Sequence, residues 1–223
     1  MLDYIIGAII GLAAGFAFNR LAIRQISKRT EDVNKQNALK KPVVLITWLI
    51  ISALLFAGVI WREKSILVRV EYMIYISAIL NIAAVDLLIR KIPNELLLVL
   101  LSVKLVFIVI ALVKAPLDFV QTLFMPAVGL VVASVVFSIP SYLHISMGAG
   151  DVKFAGVIGF CFGYFMFLQA MVIMAVILLF YLLFLLATHK GNLKTAIAMG
   201  PYLAVGVIIT MLFPITGIMA GLG

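Results

Sequence analysis

Eight apolar segments follow one another along the chain, separated by short polar stretches. They lie near residues 2–19, 42–61, 71–88, 95–113, 119–139, 152–164, 165–187 and 196–220. A helix needs about 20 residues to cross a bilayer, and every segment except 152–164 approaches that length. Segment 152–164 is short and rich in Gly, so two helices fit between 152 and 187 only if the chain turns tightly near Gly163. The pattern predicts an all-α, polytopic membrane helix bundle with six to eight transmembrane helices, forming a single domain over residues 1–223.

The composition supports a membrane protein. Of the 223 residues, 65% are hydrophobic and 12% are charged, and the mean hydropathy is +1.27. A soluble domain of this size is far less apolar. Basic residues follow the first apolar segment rather than precede it, so we interpret that segment as a retained span rather than a cleavable signal peptide. Cys161 is the single cysteine, which excludes a disulfide or a CxxC zinc site within one chain. Its apolar surroundings favour a buried core residue, and we expect no metal and no cofactor.

The net charge of +8 lies in short loops between spans rather than on a soluble basic domain, so we do not expect nucleic-acid binding. With the N-terminus outside, twelve of the seventeen basic residues face the cytoplasm, as the positive-inside rule requires. These twelve are Arg20, Arg24, Lys28, Arg29, Lys35, Lys40, Lys41, Arg90, Lys91, Lys153, Lys190 and Lys194. The protein is therefore predicted to be a multi-pass protein of the plasma (inner) membrane.

The stretch 20–41 is the only sizeable polar connection, and it has no Cys. Its mixed charge is typical of a solvated cytoplasmic connector. A second interpretation is a basic juxtamembrane segment that binds anionic lipid.

Glycines recur at a spacing of four residues in two of the apolar segments. Gly7, Gly11 and Gly15 lie in the first segment, and Gly159 and Gly163 lie further along the chain. Small residues at this spacing let helices approach closely within a bilayer. The pattern therefore predicts tight helix packing at both places.

Two aspartates lie at the ends of apolar runs. Asp86 closes the run ILNIAAVD and Asp151 opens the run DVKFAGVIGF, so the predicted topology puts both at the cytoplasmic face. Ionisable groups at the edge of a bilayer core are costly and usually functional. Two carboxylates that share one proton perform peptide hydrolysis in aspartic proteases. Two simpler roles stay open, because Asp86 can pair with Arg90 four residues on and Asp151 can cap the helix that follows it.

The residues around both aspartates are compatible with a catalytic site. Gly148 and Gly150 precede Asp151 and permit close approach of a substrate strand. After Asp86 the helix is predicted to end near Pro93, and Asn94 is a candidate cap for the next helix.

These stretches resemble a known family. DLLIRKIPNELL resembles the first aspartate motif of type IV prepilin peptidases, and GAGDVKFAGVIGFCFG resembles their GxGD motif. The order of the motifs and the 65 residues between the aspartates also agree. MGPYLAVG is similar to the final span of the family, and GLAAGFAFNRLAIR is similar to its first span.

The resemblance implies a membrane aspartyl endopeptidase that removes short basic leaders from prepilins or pseudopilins at the cytoplasmic face. Asp86 and Asp151 correspond to the catalytic pair, and Gly148 and Gly150 to the glycines of GxGD. Other matches to motif positions are expected only to support the site, namely Lys153, Pro93 and Asn94. A simpler role for Lys153 is that its side chain extends to the membrane interface. The partners implied are a prepilin or pseudopilin with a basic leader and a hydrophobic helix, and membrane lipid.

One departure from the family pattern concerns the stretch between the first two spans. Longer members carry a domain with paired CxxC motifs there and also methylate the new N-terminus. The 20–41 stretch lacks Cys and is shorter than the roughly 40 residues that a small stapled domain needs. We therefore expect cleavage without N-methyltransferase activity.

Two other function classes remain as alternatives. A proton-coupled transporter would use the aspartates as relay groups, although such acids usually lie near the bilayer midplane. A catalytically inactive assembly protein of a pilus or secretion machine would keep the fold without the reaction, although here both aspartates are present.

Overall fold

The computed structural model describes residues 2–114, 120–142, 148–188 and 198–215. Eight α-helices and no strand occur in these residues, which confirms the predicted all-α class. The helices are α1 (Leu2–Ser27), α2 (Val33–Ala38), α3 (Pro42–Arg62), α4 (Ile66–Ile89), α5 (Asn94–Lys114), α6 (Met125–Tyr142), α7 (Ala149–Ala187) and α8 (Gly200–Leu212). A short π-helical segment, Val120–Phe124, precedes α6.

Six helices in the described part of the chain are long and apolar enough to cross a membrane. They are Asp3–Ser27, Pro42–Arg62, Ile66–Ile89, Asn94–Lys114, Thr122–Pro140 and Ala149–Ala187. The helix Gly200–Leu212 is apolar but shorter, and the predicted segment 196–220 lies partly outside the described residues. The basic residues Lys190 and Lys194 lie outside them as well.

The chain divides into two compact units, Met1–Ala111 and Leu112–Gly223. In the first unit α1 packs along α3 and also contacts α4. The predicted glycine face of α1 is confirmed, because a Cβ atom on Gly11 would lie 2.6 Å from the carbonyl oxygen of Ser52 on α3. In the second unit α7 contacts both α6 and α8. A single domain over the whole chain stays a prediction.

The predicted turn near Gly163 is confirmed within α7. Gly163 has φ 73° and ψ 174°, a combination that is essentially restricted to glycine. The helix therefore breaks there into two halves, as the lengths of segments 152–164 and 165–187 require. Gly163 forms this break, and both Gly159 and Gly163 also pack closely on α6, as predicted. A Cβ atom built on Gly129 would overlap the carbonyl oxygen of Gly159 and lie 2.9 Å from the carbonyl carbon of Gly163.

The stretch 20–41 is more ordered than its polar composition predicts. Helix α1 continues to Ser27, and α2 begins at Val33 after a turn. Asp32 caps α2, because its carboxylate accepts hydrogen bonds from the backbone N–H groups of Asn34 and Lys35 at 3.0 and 3.3 Å. Only residues 28–41 therefore connect α1 to α3, and we call them the 28–41 connector.

Candidate active site

Asp86 lies in the last turn of α4, three residues before the helix ends at Ile89. Its side chain is buried, with 5% of the residue exposed. Burying an ionisable carboxyl group is costly unless other groups compensate, and the preceding turns of α4 bury Ile79 and Ile82. A carboxyl group at a helix end that only faces solvent is not usually buried. The burial of Asp86 therefore fits a functional role.

The chain reverses sharply after α4. Arg90 takes a left-handed conformation, with φ 53° and ψ 44°, and its N–H donates to the carbonyl of Asp86 at 2.8 Å. This conformation is uncommon for a residue other than glycine. Helix α4 thus terminates at Ile89, three residues earlier than the proline at position 93 predicts.

Pro93 and Asn94 begin the next helix. The carbonyl of buried Pro93 accepts hydrogen bonds from the N–H groups of Leu96 and Leu97, at 3.1 and 3.4 Å. Helix α5 starts at Asn94, so the prediction that Asn94 caps it is wrong. Pro93 holds the capping position instead, because proline needs no hydrogen-bond partner for its own nitrogen.

Asp151 lies in the first turn of α7. The predicted role of Asp151 as the N-cap is wrong, because Gly148 caps the helix, with φ −67° and ψ 130°. Asp151 is the third helical residue, and its N–H donates to the carbonyl of Gly148 at 2.9 Å. A carboxylate in this first turn still gains from the positive end of the helix dipole.

Gly148 lies directly beside the carboxylate of Asp151. A Cβ atom built on Gly148 would lie 2.8 Å from Oδ2 of Asp151, which is closer than two such atoms approach. The absence of a side chain at Gly148 therefore leaves room for the carboxylate to fold back over the helix start. Gly150 is half-buried within the first turn, and the side chain of Lys153 is exposed.

The two aspartates belong to different compact units. Asp86 is part of Met1–Ala111 and Asp151 is part of Leu112–Gly223. Each unit supplies one carboxyl group at a helix end, and the pairing of the two groups stays a prediction. Within the described residues no group of three or more His, Cys, Asp or Glu side chains is arranged to hold a metal ion.

One charged pair within the apolar helices was not predicted as a pair. Lys104 on α5 lies 3.7 Å from Oε1 of Glu71 on α4, and both side chains are mostly buried. The hydroxyl of Tyr75 donates to the same carboxylate oxygen at 2.8 Å. A lysine inside the run 95–113 signals such a partner, since an isolated charge is costly there. The pair lies near the start of α4, far from Asp86, and joins α4 to α5.

Comparison with known proteins identifies one family. Residues 73–183, about half of the chain, match the model of the type IV leader peptidase family. Both Asp86 and Asp151 lie within the matched residues, as do all five predicted supporting residues. No curated protein and no solved structure matches the chain.

Proposed function

Because the chain belongs to the type IV leader peptidase family, we propose that it is a membrane aspartyl endopeptidase with Asp86 and Asp151 as its catalytic pair. The observation that carries the proposal is the placement of both aspartates. Each lies in a terminal turn of an apolar helix and within the matched residues, Asp86 at the end of α4 and Asp151 at the start of α7.

The reaction requires the two carboxyl groups in different protonation states. The ionised carboxylate takes a proton from water, and the resulting hydroxide attacks the scissile carbonyl. The protonated carboxyl group polarises that carbonyl and then donates its proton to the leaving amine. One shared proton is enough, because two carboxylates close together do not both ionise readily.

The proposed substrate is a prepilin or pseudopilin with a short basic leader and a hydrophobic helix. A peptide bond inside an intact helix has its carbonyl group engaged in a backbone hydrogen bond. The segment at the scissile bond must therefore unwind before the carboxyl groups reach it. With the orientation that the basic residues favour, cleavage takes place at the cytoplasmic face of the plasma membrane.

Co-expression with a candidate prepilin tests this proposal. Wild type should release the leader, and Asp86→Asn and Asp151→Asn should each insert normally and release none, as judged by gel shift and by mass spectrometry of the product. The Lys35→Gln variant is a matched control, because Lys35 pairs with Asp32 on the connector and not with Asp86 or Asp151. Full cleavage by either Asn variant would overturn the assignment of the pair.

The proposed reaction stops at cleavage. The 28–41 connector is too short to fold into a separate domain, and it contains no Cys. Products made by the purified protein should carry an unmethylated N-terminus even when S-adenosylmethionine is supplied. A mass gain of one methyl group that depends on this protein alone would contradict that expectation.

A further inference from the structure

The 28–41 connector packs against the end of α4 that carries Asp86. Leu39 of the connector is 7% exposed and shares one buried apolar cluster with Ala22 and Ile26 of α1 and with Val85 of α4. Val85 immediately precedes Asp86. Leu88 and Ile89, the last two apolar residues of α4, pack on the same cluster. The connector therefore encloses the helix end on its α1 side.

A buried hydrogen bond holds Leu39 in this cluster. The side-chain nitrogen of Asn19 on α1 donates to the carbonyl oxygen of Leu39 at 3.3 Å. Asn19 is 2% exposed, and leaving a buried amide without a partner is costly. The bond joins residues 20 positions apart and fixes the end of the connector relative to α1.

A second contact lies on the other side of the turn formed by residues 90–93. The guanidinium group of Arg29, on the connector, forms an ion pair with Glu95 in the first turn of α5. The side chain of Arg29 is 18% exposed, and its Nη1 also donates to the carbonyl oxygen of Gln25 on α1 at 3.0 Å. This bond to α1 orients Arg29 toward α5.

We propose that the 28–41 connector is a positioning element for Asp86. It contacts the chain on both sides of the 90–93 turn, through Leu39 before the turn and through Arg29 after it. Helix ends open more readily than helix centres, and a displacement of about 1 Å is enough to reduce catalysis strongly. Restraining both sides of the turn keeps the last turn of α4, and with it the Asp86 carboxyl group, in place.

This proposal rests on the function proposed above, since it assumes that Asp86 takes part in cleavage. It adds residues that the family match does not include. Asn19, Arg29 and Leu39 all precede residue 73, where the match begins. They act through Asp86 rather than on the substrate, so they are positioning residues and not catalytic ones.

Cleavage kinetics of Asn19→Ala, Leu39→Ala and Leu39→Met in the full-length protein test the positioning role. Asn19→Ala and Leu39→Ala should lower kcat by about tenfold with little change in KM. This result is expected when a variant disturbs the position of Asp86 in the transition state and leaves substrate binding unchanged. Leu39→Met fills nearly the same volume and should restore most of the rate. Equal kcat values for wild type and both Ala variants, at equal protein level, would overturn the proposal.

The ion pair is tested by a double-mutant cycle. Arg29→Gln and Glu95→Gln should each lower kcat by up to about threefold, since exposed pairs contribute little. The double variant should lose no more than either single variant if the two residues act together. Lys35→Gln is the control, because it removes a connector ion pair that reaches neither α4 nor α5. Additive losses, or an equal loss in Lys35→Gln, would contradict a specific role of this pair.

Amide hydrogen exchange separates this proposal from the function proposed above. Leu39→Ala should accelerate exchange at residues 85–97 and leave α7 unchanged, whether or not the protein cleaves anything. Unchanged exchange at residues 85–97 would overturn the positioning role even if both aspartates prove essential. A third outcome is faster exchange in Leu39→Ala together with cleavage by Asp86→Asn. This result would refute the catalytic pair but support the restraint of the turn. The claim that the restraint serves Asp86 would then fail.

Discussion

The two helix ends that carry the aspartates are built in different ways. Asp86 lies at the C-terminal end of α4, where the helix dipole disfavours negative charge, and Asp151 lies at the N-terminal start of α7, where the dipole favours it. The end of α4 packs against a connector more than forty residues away in sequence. The start of α7 depends on a glycine three residues away.

This difference gives the two carboxyl groups unequal surroundings. In an aspartyl pair one group must hold the shared proton and the other must be ionised. In the proposed pair, the helix dipoles favour the negative charge on Asp151 and the shared proton on Asp86. Asymmetry of this kind allows one pair to supply both the general base and the general acid.

The largest effect is expected from the packing that supports the Asp151 end. In α7, Gly159 lies against the backbone of Gly129, so a methyl group there overlaps the carbonyl oxygen of Gly129. Gly159→Ala should destabilise the protein by about 1–3 kcal/mol, because backbone atoms cannot move aside. Thermal unfolding in detergent measures the loss.

A matched control lies one turn away from Gly159. A Cβ on Gly156 would meet the hydroxyl of Ser134 at 2.7 Å, and a hydroxyl can rotate away. Gly156→Ala should therefore be neutral or slightly stabilising, since alanine has the better helix propensity. Equal destabilisation by Gly156→Ala and Gly159→Ala would show that the close approach of α6 and α7 does not matter.

Gly148→Ala tests the local contact at the start of α7. The added methyl group displaces the Asp151 carboxylate, whose Oδ2 would lie 2.8 Å from it, but it creates no backbone strain because φ is −67°. Cleavage should fall by about tenfold or more. The melting temperature should stay near that of wild type. A parallel loss of activity and folded protein would mean that Gly148 serves folding only.

A smaller effect is expected at the turn after Asp86. Arg90 has a left-handed backbone, which glycine adopts freely, asparagine tolerates and valine resists. Among variants that all lack the arginine side chain, stability should therefore fall in the order Gly, Asn, Val. The free energy of unfolding of Arg90→Gly should exceed that of Arg90→Val by about 1 kcal/mol. An equal melting temperature for all three would contradict the left-handed turn.

Much of the fold follows from short-range patterns in the sequence. The lengths of the apolar runs predicted the helices, and the short Gly-rich run 152–164 predicted the break at Gly163. The charge and position of Asp86 and Asp151 singled them out because carboxyl groups are rare at the ends of such runs.

Other features depend on contacts that no local pattern contains. The predicted N-cap of α7 was wrong by three residues. Several residues near Gly148 and Asp151 suit a helix start, and the backbone hydrogen bonds decide among them. The packing of Leu39 beside Val85 was missed, because a single leucine in a polar stretch carries no periodicity. The bond from Asn19 to Leu39 is equally non-local.

The central claim is that Asp86 and Asp151 act as one pair, and proximity tests it most directly. In a Cys161→Ala background, cysteines replacing both aspartates should be joined by a short bifunctional thiol reagent in native membranes. A control pair, Cys at positions 86 and 172, should not be joined, since Val172 lies 21 residues beyond Asp151 on α7. We predict a cross-link for the 86–151 pair alone. The absence of that cross-link, with both cysteines reactive toward a monofunctional maleimide, would contradict the account.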